Sequence, residues 1–412
     1  MTALKSLVEW YSHMRIGSKP SKRGPIPTVP FWMTLDDACR GINRLRFFDT
    51  RVRPLNDRHG AVYVWNSGRW AVAITKPEFL LRMFRNGSIV AKGGFHKKVP
   101  GSPFGTLFGE SIVDSHGPTY VRFSTIIKPA IKKPTDIRWM REKSPQIVGL
   151  LLNAQSLAPS ERGVLVDRLI QRWAGAKGPT NPLENALAAM KDNFPTMVYA
   201  EFPILEKFPP FLRSCRHAFS AIKNFEDLLV AHIDEWARAR KRGDQGGNEK
   251  LVHRLVQARE SSELSEFHYR SNLKMLITAG HENAYAALLP TSLYTGIRIR
   301  KGTWMDWNAY GVQTNPEFWG ESAKEFQPSR WGDEIDAINN LFHSSQSKGY
   351  FITFIAYSRQ CPGSGFALVQ LKVALVEILR EASWTNDPTY YFSTTSVAGL
   401  SPRGCRLVFT ST

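Results

Sequence analysis

The residues best suited to chemistry lie together in the run Phe354-Ile355-Ala356-Tyr357-Ser358-Arg359-Gln360-Cys361-Pro362-Gly363-Ser364-Gly365-Phe366-Ala367. Cys361 stands in a glycine-bearing loop just ahead of an amphipathic stretch marked by Phe366, Leu371, Ala374, Leu375 and Leu379. A helix N-terminus offers unpaired N–H groups and a partial positive charge, which lower a thiol's pKa and favour the thiolate. Such a thiolate serves as a nucleophile or as a soft metal ligand. Arg359 adds positive charge two residues upstream and suits an anionic cofactor group, while Phe354 suits packing against something flat. A loop cysteine buried for packing alone is the commoner fate of this residue type, and the full pattern argues against it. A second run, Leu276-Ile277-Thr278-Ala279-Gly280-His281-Glu282-Asn283-Ala284, sets a glycine and a Glu-Asn pair inside an apolar helix. Glycine in mid-helix costs about 1 kcal/mol relative to alanine, so Gly280 implies close approach to something bulky; ordinary helix packing is the competing explanation. His281-Glu282 opens a zinc-protease pattern, but Tyr285 stands where the second histidine is required, so that reading fails.

These runs need elements to hold them. The proline-rich stretch 24–30 predicts an extended lead-in, because each proline removes a donor and restricts its predecessor. Ala61–Trp65 and Trp70–Ile74 read as strands joined through Asn66-Ser67-Gly68-Arg69. A helix opens at Pro77 and runs through Phe79, Leu80, Leu81 and Phe84. From Pro118 to about 295 the pattern is mainly helical, with proline loops at 178–182 and 203–210 and a mobile, glycine-rich loop at 238–250. A long apolar helix is expected over about 265–293, and a last helix from Phe366 to about Trp384, followed by short strands. With no repeat and no clear linker, the whole of 1–412 reads as one mainly α domain with a small β part. It comprises a β-rich region about 40–80, a helical core about 110–295, and the cysteine loop with the last helix at 351–384.

At 42% hydrophobic and without low-complexity tracts, the 412-residue chain is neither largely disordered nor a fibrous stalk. It carries 54 basic and 36 acidic residues, a formal charge of +18. Residues 1–150 hold 25 of the basic and only 10 of the acidic ones, a field that attracts acidic partners. The basic residues are scattered singly rather than massed in arms, so nucleic acid is not expected, and a solvated basic surface is the plainer reading. Cys39, Cys215, Cys361 and Cys405 lie far apart with no Cys-x-x-Cys pair, which points away from a disulfide scaffold and toward a reducing compartment. No stretch approaches the ~20 apolar residues of a membrane span, and no signal-peptide core is present. Leu4, Leu7, Val8 and Tyr11 would share one helical face, so contact with a membrane surface is conceivable for a chain otherwise expected to be soluble.

The pattern Phe-x-x-x-x-Arg-x-Cys-x-Gly, then Phe-Ala and a helix, resembles the haem-binding signature of cytochromes P-450. The resemblance implies that Cys361 is the axial thiolate of a haem iron, pushing electron density toward bound oxygen and favouring O–O cleavage. It implies further that Arg359 pairs with a haem propionate, that Phe354 shields the sulfur side of the macrocycle, and that Gly363 belongs to the cofactor loop. Tyr357 departs from the signature, which has glycine there; if φ is positive, the tyrosine costs roughly 1–2 kcal/mol. On the long helix, Ala279, Gly280, Glu282 and Asn283 resemble the family's oxygen-face motif, with asparagine in place of threonine. Glu282 and Asn283 would then help deliver protons during oxygen activation. The spelling Ala-Gly-His-Glu-Asn, and the stretch Ser111 to Tyr120 with Ile126 to Ala130, are similar to fungal members, including those acting on tyrosine derivatives in dityrosine wall formation. Tyr120 would stand near a propionate in place of the usual tryptophan.

Ile299-Arg300-Lys301-Gly302-Thr303 and the region Asn315 to Trp331 keep the family's order, but its Glu-x-x-Arg helix is missing between Tyr294 and Ile299. Glu377-Ile378-Leu379-Arg380 fits the spelling but follows the cysteine, and reads as a solvated i,i+3 pair. Arg330 thereby loses its expected partners, and a buried unpaired guanidinium would cost several kcal/mol. The expectation is thus an internally truncated cytochrome P-450 fold. The function implied is a haem-dependent monooxygenase acting with O2 on a small apolar or aromatic molecule. No nucleotide-binding motif occurs, so electrons from NADPH would come through a flavoprotein reductase with an acidic face. The expected location is cytoplasmic, or peripheral on the cytoplasmic side of the endoplasmic reticulum. Two alternatives stay open: a non-catalytic relic of the family, and a basic surface-binding protein with a structural cysteine. Phe202, Phe208 and Phe211 are candidates for lining an entrance, with loop packing an equal alternative.

Overall fold

The computed structural model describes residues 26–87, 90–99, 101–132, 137–158, 162–166, 182–193, 201–202, 205, 209–241, 251–282, 304–325, 327–389 and 405–411. In chain order the principal elements begin with α1 (Phe31–Cys39), β1 (Ala61–Asn66), β2 (Arg69–Ile74), α2 (Pro77–Arg85), α3 (Phe95–Lys98) and α4 (Pro103–Phe108). Next come α5 (Gly117–Ile131), α6 (Arg138–Ser156), β3 (Val164–Leu165), α7 (Pro182–Asp192), α8 (Pro209–Lys241), α9 (Leu251–Glu260) and α10 (Glu266–Glu282). The last are β4 (Trp304–Trp307), α11 (Ile335–Lys348), α12 (Ser364–Glu381), β5 (Ala382–Asn386) and β6 (Arg406–Ser411).

β-branched and aromatic residues make β1 and β2, and the hairpin is tighter than the sequence pattern indicates. Asn66 and Arg69 already pair, and Ser67 and Gly68 turn the corner with φ of 48° and 80°, the positive-φ geometry of a two-residue hairpin. β4 adds to β2 in parallel, and Thr28 of the extended lead-in bridges to Tyr63 beside β1. The second sheet runs β3-β6-β5.

Pro77, after the extended Lys76, starts α2 at the position where a missing N–H costs nothing. Leu80, Met83 and Phe84 of α2 then bury against Ile74, Met305 and Trp307 of the first sheet, with Ile355 and Ala356 of the cysteine loop packed on the same cluster. Burying such side chains contributes roughly 2 kcal/mol each, which fixes the loop to the sheet. A larger core joins α5, α8, α9 and α10 around Phe123, Phe225, Leu255 and Tyr269. A third lies between α6 and the second sheet and takes in Ile378 of α12.

Two helices differ from expectation. The described part of α10 ends at Glu282, the remainder of the expected 265–293 helix lying outside the described residues, and its buried face is not uniformly apolar: Ser271, Asn272, Lys274 and Thr278 are buried. Lys274 Nζ donates to the Thr106 carbonyl at 3.0 Å and pairs with Glu226 of α8, so its charge is compensated. Asn272 accepts from the Ile112 N–H at 2.9 Å and thereby ties α10 to the segment leading into α5. α12 ends at Glu381 and Trp384 lies in β5, because the chain turns extended at Ala382. On α12 the buried residues are Gln370 and Ala374, while Leu368, Leu371, Leu375 and Leu379 form an exposed stripe on another face. Elsewhere, α8 continues through Lys241 into the stretch expected to be a loop, and residues 242–250, like most of both proline loops, lie outside the described residues.

Candidate functional site

The cysteine loop is closed by one backbone bond, from the Cys361 N–H to the Phe354 carbonyl, at 2.8 Å. Within it Ile355 and Tyr357 both take left-handed backbone conformations, with φ of 59° and 57°. The positive φ expected where tyrosine replaces glycine is therefore present, and a β-branched residue shares the strain. Tyr357 is exposed and engaged: Arg85 Nε of α2 donates to its hydroxyl at 2.6 Å, and the guanidinium lies 4.8 Å from its ring centre.

Cys361 is half-buried at the start of α12, where the Gly363 and Ser364 N–H groups act on its thiol, while the Ser364 N–H donates to its backbone carbonyl at 3.4 Å. Those donors lower its pKa as the sequence predicts, but burial outweighs them and the thiol is pushed above its ordinary value. The expectation of a depressed pKa is corrected accordingly: the Lys92 charge pulls the same way as the N–H groups, yet burial keeps the group a thiol, and a bound metal would deprotonate it.

Arg359 donates through Nη2 to the Ser115 carbonyl at 2.6 Å and lies 3.7 Å from the centre of the Tyr120 ring. The structure thus brings together Arg359 and Tyr120, separated widely in sequence. Burial would raise the Tyr120 pKa, but the bond from Lys128, at 2.8 Å, and the Arg359 charge hold it below its usual value. Asp114, just before Ser115, is pushed up to about 6 by burial, against the pull of Lys92 and Arg359. Lys92 is pushed down to about 8 by burial and then by Arg359, with Asp114 and Cys361 opposing. Lys92 and Asp114 were not singled out from sequence. The clue is the Gly93-Gly94 pair: a Cβ at Gly93 would meet the Trp304 ring and one at Gly94 would meet Asp114, so the chain after Lys92 can pass only as glycine.

Gly280 and Glu282 fall in the last turn of α10, and Asn283 lies outside the described residues. Phe202 belongs to an aromatic core with Phe31, Trp65 and Trp70 rather than to an entrance, and Phe208 lies outside the described residues. Arg330 is not the unpaired buried cation expected. It is only part-buried and bonds the Trp319 carbonyl, the Ser322 carbonyl at 2.7 Å and Ser322 Oγ at 2.9 Å. Glu377 and Arg380 form the expected i,i+3 pair at 3.5 Å, with the glutamate more covered than a fully solvated pair would be.

The donor set has a definite character. One soft sulfur stands at the head of α12, and two cations, Lys92 and Arg359, line one small pocket with Met83, Phe84 and Ile355. A soft ligand near two cations suits a soft metal accompanied by anionic groups. Among the described residues there is no cluster of three or more metal-ligating side chains and no helix long and apolar enough to cross a membrane.

Comparison with known proteins points the same way. The sequence model of the Cytochrome P450 family matches residues 291–396. The chain is 28% identical to cytochrome P450 monooxygenase xanG of Aspergillus fumigatus over 96% of its own length and 88% of that protein. It is 21% identical to cytochrome P450-DIT2 of Saccharomyces cerevisiae over 93% and 92% of the two chains. The alignment with the first extends over 477 positions against 412 residues here, so that relative carries segments with no counterpart in this chain. The fold is similar to the crystal structure of the cytochrome P450DA heme domain, with a TM-score of 0.66 at 16% identity, covering 94% of this chain and 98% of that one.

Proposed function

We propose that the chain is a cytochrome P450 of fungal type with that family's monooxygenase chemistry, as its similarity to such proteins supports, that Cys361 is the ligand through which it holds haem, and that its substrate is a small apolar or aromatic molecule. The observation that carries the proposal is the half-buried Cys361 at the head of α12, its backbone N–H held by the Phe354 carbonyl at 2.8 Å. Bound haem supplies the oxygen chemistry, and its thiolate ligand supplies electron density. The chain's own residues position and protect. The Phe354 carbonyl pins the Cys361 backbone, and the Ser364 N–H ties the Cys361 carbonyl to the start of α12. Phe354 would cover the sulfur when haem is bound, while Arg359, seated on Tyr120 and Ser115, would meet a carboxylate of the cofactor. With the cofactor bound, Gly280 would leave room for a flat group, and Glu282 with Asn283 would hold and pass protons during oxygen activation. Electrons come from NADPH through a flavoprotein reductase, met in the cytoplasm or at the cytoplasmic side of the endoplasmic reticulum.

A carbon monoxide difference spectrum of the reduced protein tests the ligand. Cys361→Ser should abolish the thiolate-type band, whereas Cys39→Ser, Cys215→Ser and Cys405→Ser should keep it; loss in any of those three sinks the assignment. Glu282→Gln should slow turnover and raise peroxide release at unchanged haem content, and unchanged turnover and release would leave Glu282 a packing residue. A second reading, a chain that keeps the fold and holds no haem, draws on the self-contained bonding of Arg330 and the missing segment. The same spectrum decides it, by showing no thiolate band in the unsubstituted protein.

A further inference from the structure

Lys92 is the group near the cysteine loop whose chemistry is not yet used. It is part-buried, lines the same small pocket as Arg359 and Ile355, and its ammonium makes no hydrogen bond or ion pair among the described residues. Arg359, by contrast, is already committed to the Ser115 carbonyl and the Tyr120 ring. The glycines after Lys92 press the chain against Trp304 and Asp114, so the lysine is held at the pocket by backbone fit. Asp114 is the carboxylate whose field reaches both cations. Lys92, Arg359 and Lys97 all act on Asp114, which leaves positive charge over in a place where burial makes it costly. An anion entering the pocket would remove that cost and take up the three donors of the ammonium.

We infer that Lys92 is a second cationic anchor for a carboxylate of the bound cofactor, acting beside Arg359, with Asp114 positioning it. The inference rests on the haem reading above, and the two can fail separately. The full chain is titrated with ferric protoporphyrin IX and, in parallel, with its dimethyl ester, whose carboxylates are blocked; binding is read from the Soret band. Lys92→Met should weaken the free-acid porphyrin by roughly ten- to hundredfold, the range for a hydrogen bond to a charged group, and leave the ester unchanged. Lys92→Arg should restore most of the loss. Equal weakening of both porphyrins assigns Lys92 a structural role and overturns the inference, as does undiminished binding of the free acid by Lys92→Met. A parent protein that binds the free acid with a thiolate band while the variant does too removes only the anchor. A parent protein that binds neither porphyrin removes the haem reading, and the anchor with it.

Discussion

Tyr357 shows how a single side chain can hold a conformation that does not suit it. A non-glycine residue at φ of 57° costs roughly 1–2 kcal/mol. Arg85 returns part of that through a bond at 2.6 Å and a guanidinium over the ring, worth about 0.5–1 kcal/mol for an exposed stack. Glycine would relieve the strain but lose the contact and widen the unfolded ensemble. Tyr357→Gly is therefore expected to change stability by less than about 1 kcal/mol, whereas Arg85→Ala should destabilise by about 1 kcal/mol only while the tyrosine is present. A double-mutant cycle from urea unfolding measures the coupling, and additive effects would show that the stack contributes nothing. The sequence discloses the departure at Tyr357 and the sign of its φ, because the signature is local. It does not disclose Arg85, which folding brings from α2. Nor does it disclose that burial, rather than the helix N-terminus, sets the state of the Cys361 thiol, since burial belongs to the folded molecule.

At the scale of elements, α10 carries a polar load that its spelling hides. Ser271, Asn272 and Lys274 sit within a helix expected to be apolar, and each is buried. Lys274 is tolerated because Glu226 of α8 meets it and the Thr106 carbonyl takes a second bond. Glu226→Gln leaves a buried ammonium without its counter-charge and should cost about 3 kcal/mol, read as a fall in the urea midpoint with unchanged slope. Replacing the pair together, Glu226→Gln with Lys274→Met, should recover much of the loss, and a double variant as unstable as the single one would contradict this account. Strand and helix placement was largely legible: the β1–β2 hairpin, α2 from Pro77 and α12 after the cysteine loop follow from turn residues, proline positions and periodicity. The polar face of α10 was not, because its partners come from α4, α8 and the segment before α5, and spacing within one helix says nothing of what packs on it.

For the molecule as a whole, the uneven charge is the feature with reach. The basic first third includes Arg85 beside the cysteine loop, and Arg122 and Lys132 of the α5 region, all exposed. Exposed charges steer encounter and are screened with a Debye length near ~8 Å at physiological salt. Reduction by a flavoprotein donor should slow as salt rises, and Lys132→Glu with Lys133→Glu should slow it at low salt. Stopped-flow reduction of protein with measured haem content checks this, and indifference to both changes would leave the charge a matter of solubility. Another property of the whole follows from the outward stripe of α12, where Leu368, Leu371, Leu375 and Leu379 are each at least one-third exposed. A file of leucines facing water makes the protein a poor colloid despite its charge of +18. Salting-out anions such as sulfate both screen the repulsion and drive apolar surfaces together. This face of the last helix should accordingly contribute to precipitation by such salts, alongside other exposed apolar side chains such as Leu157 and Ile335.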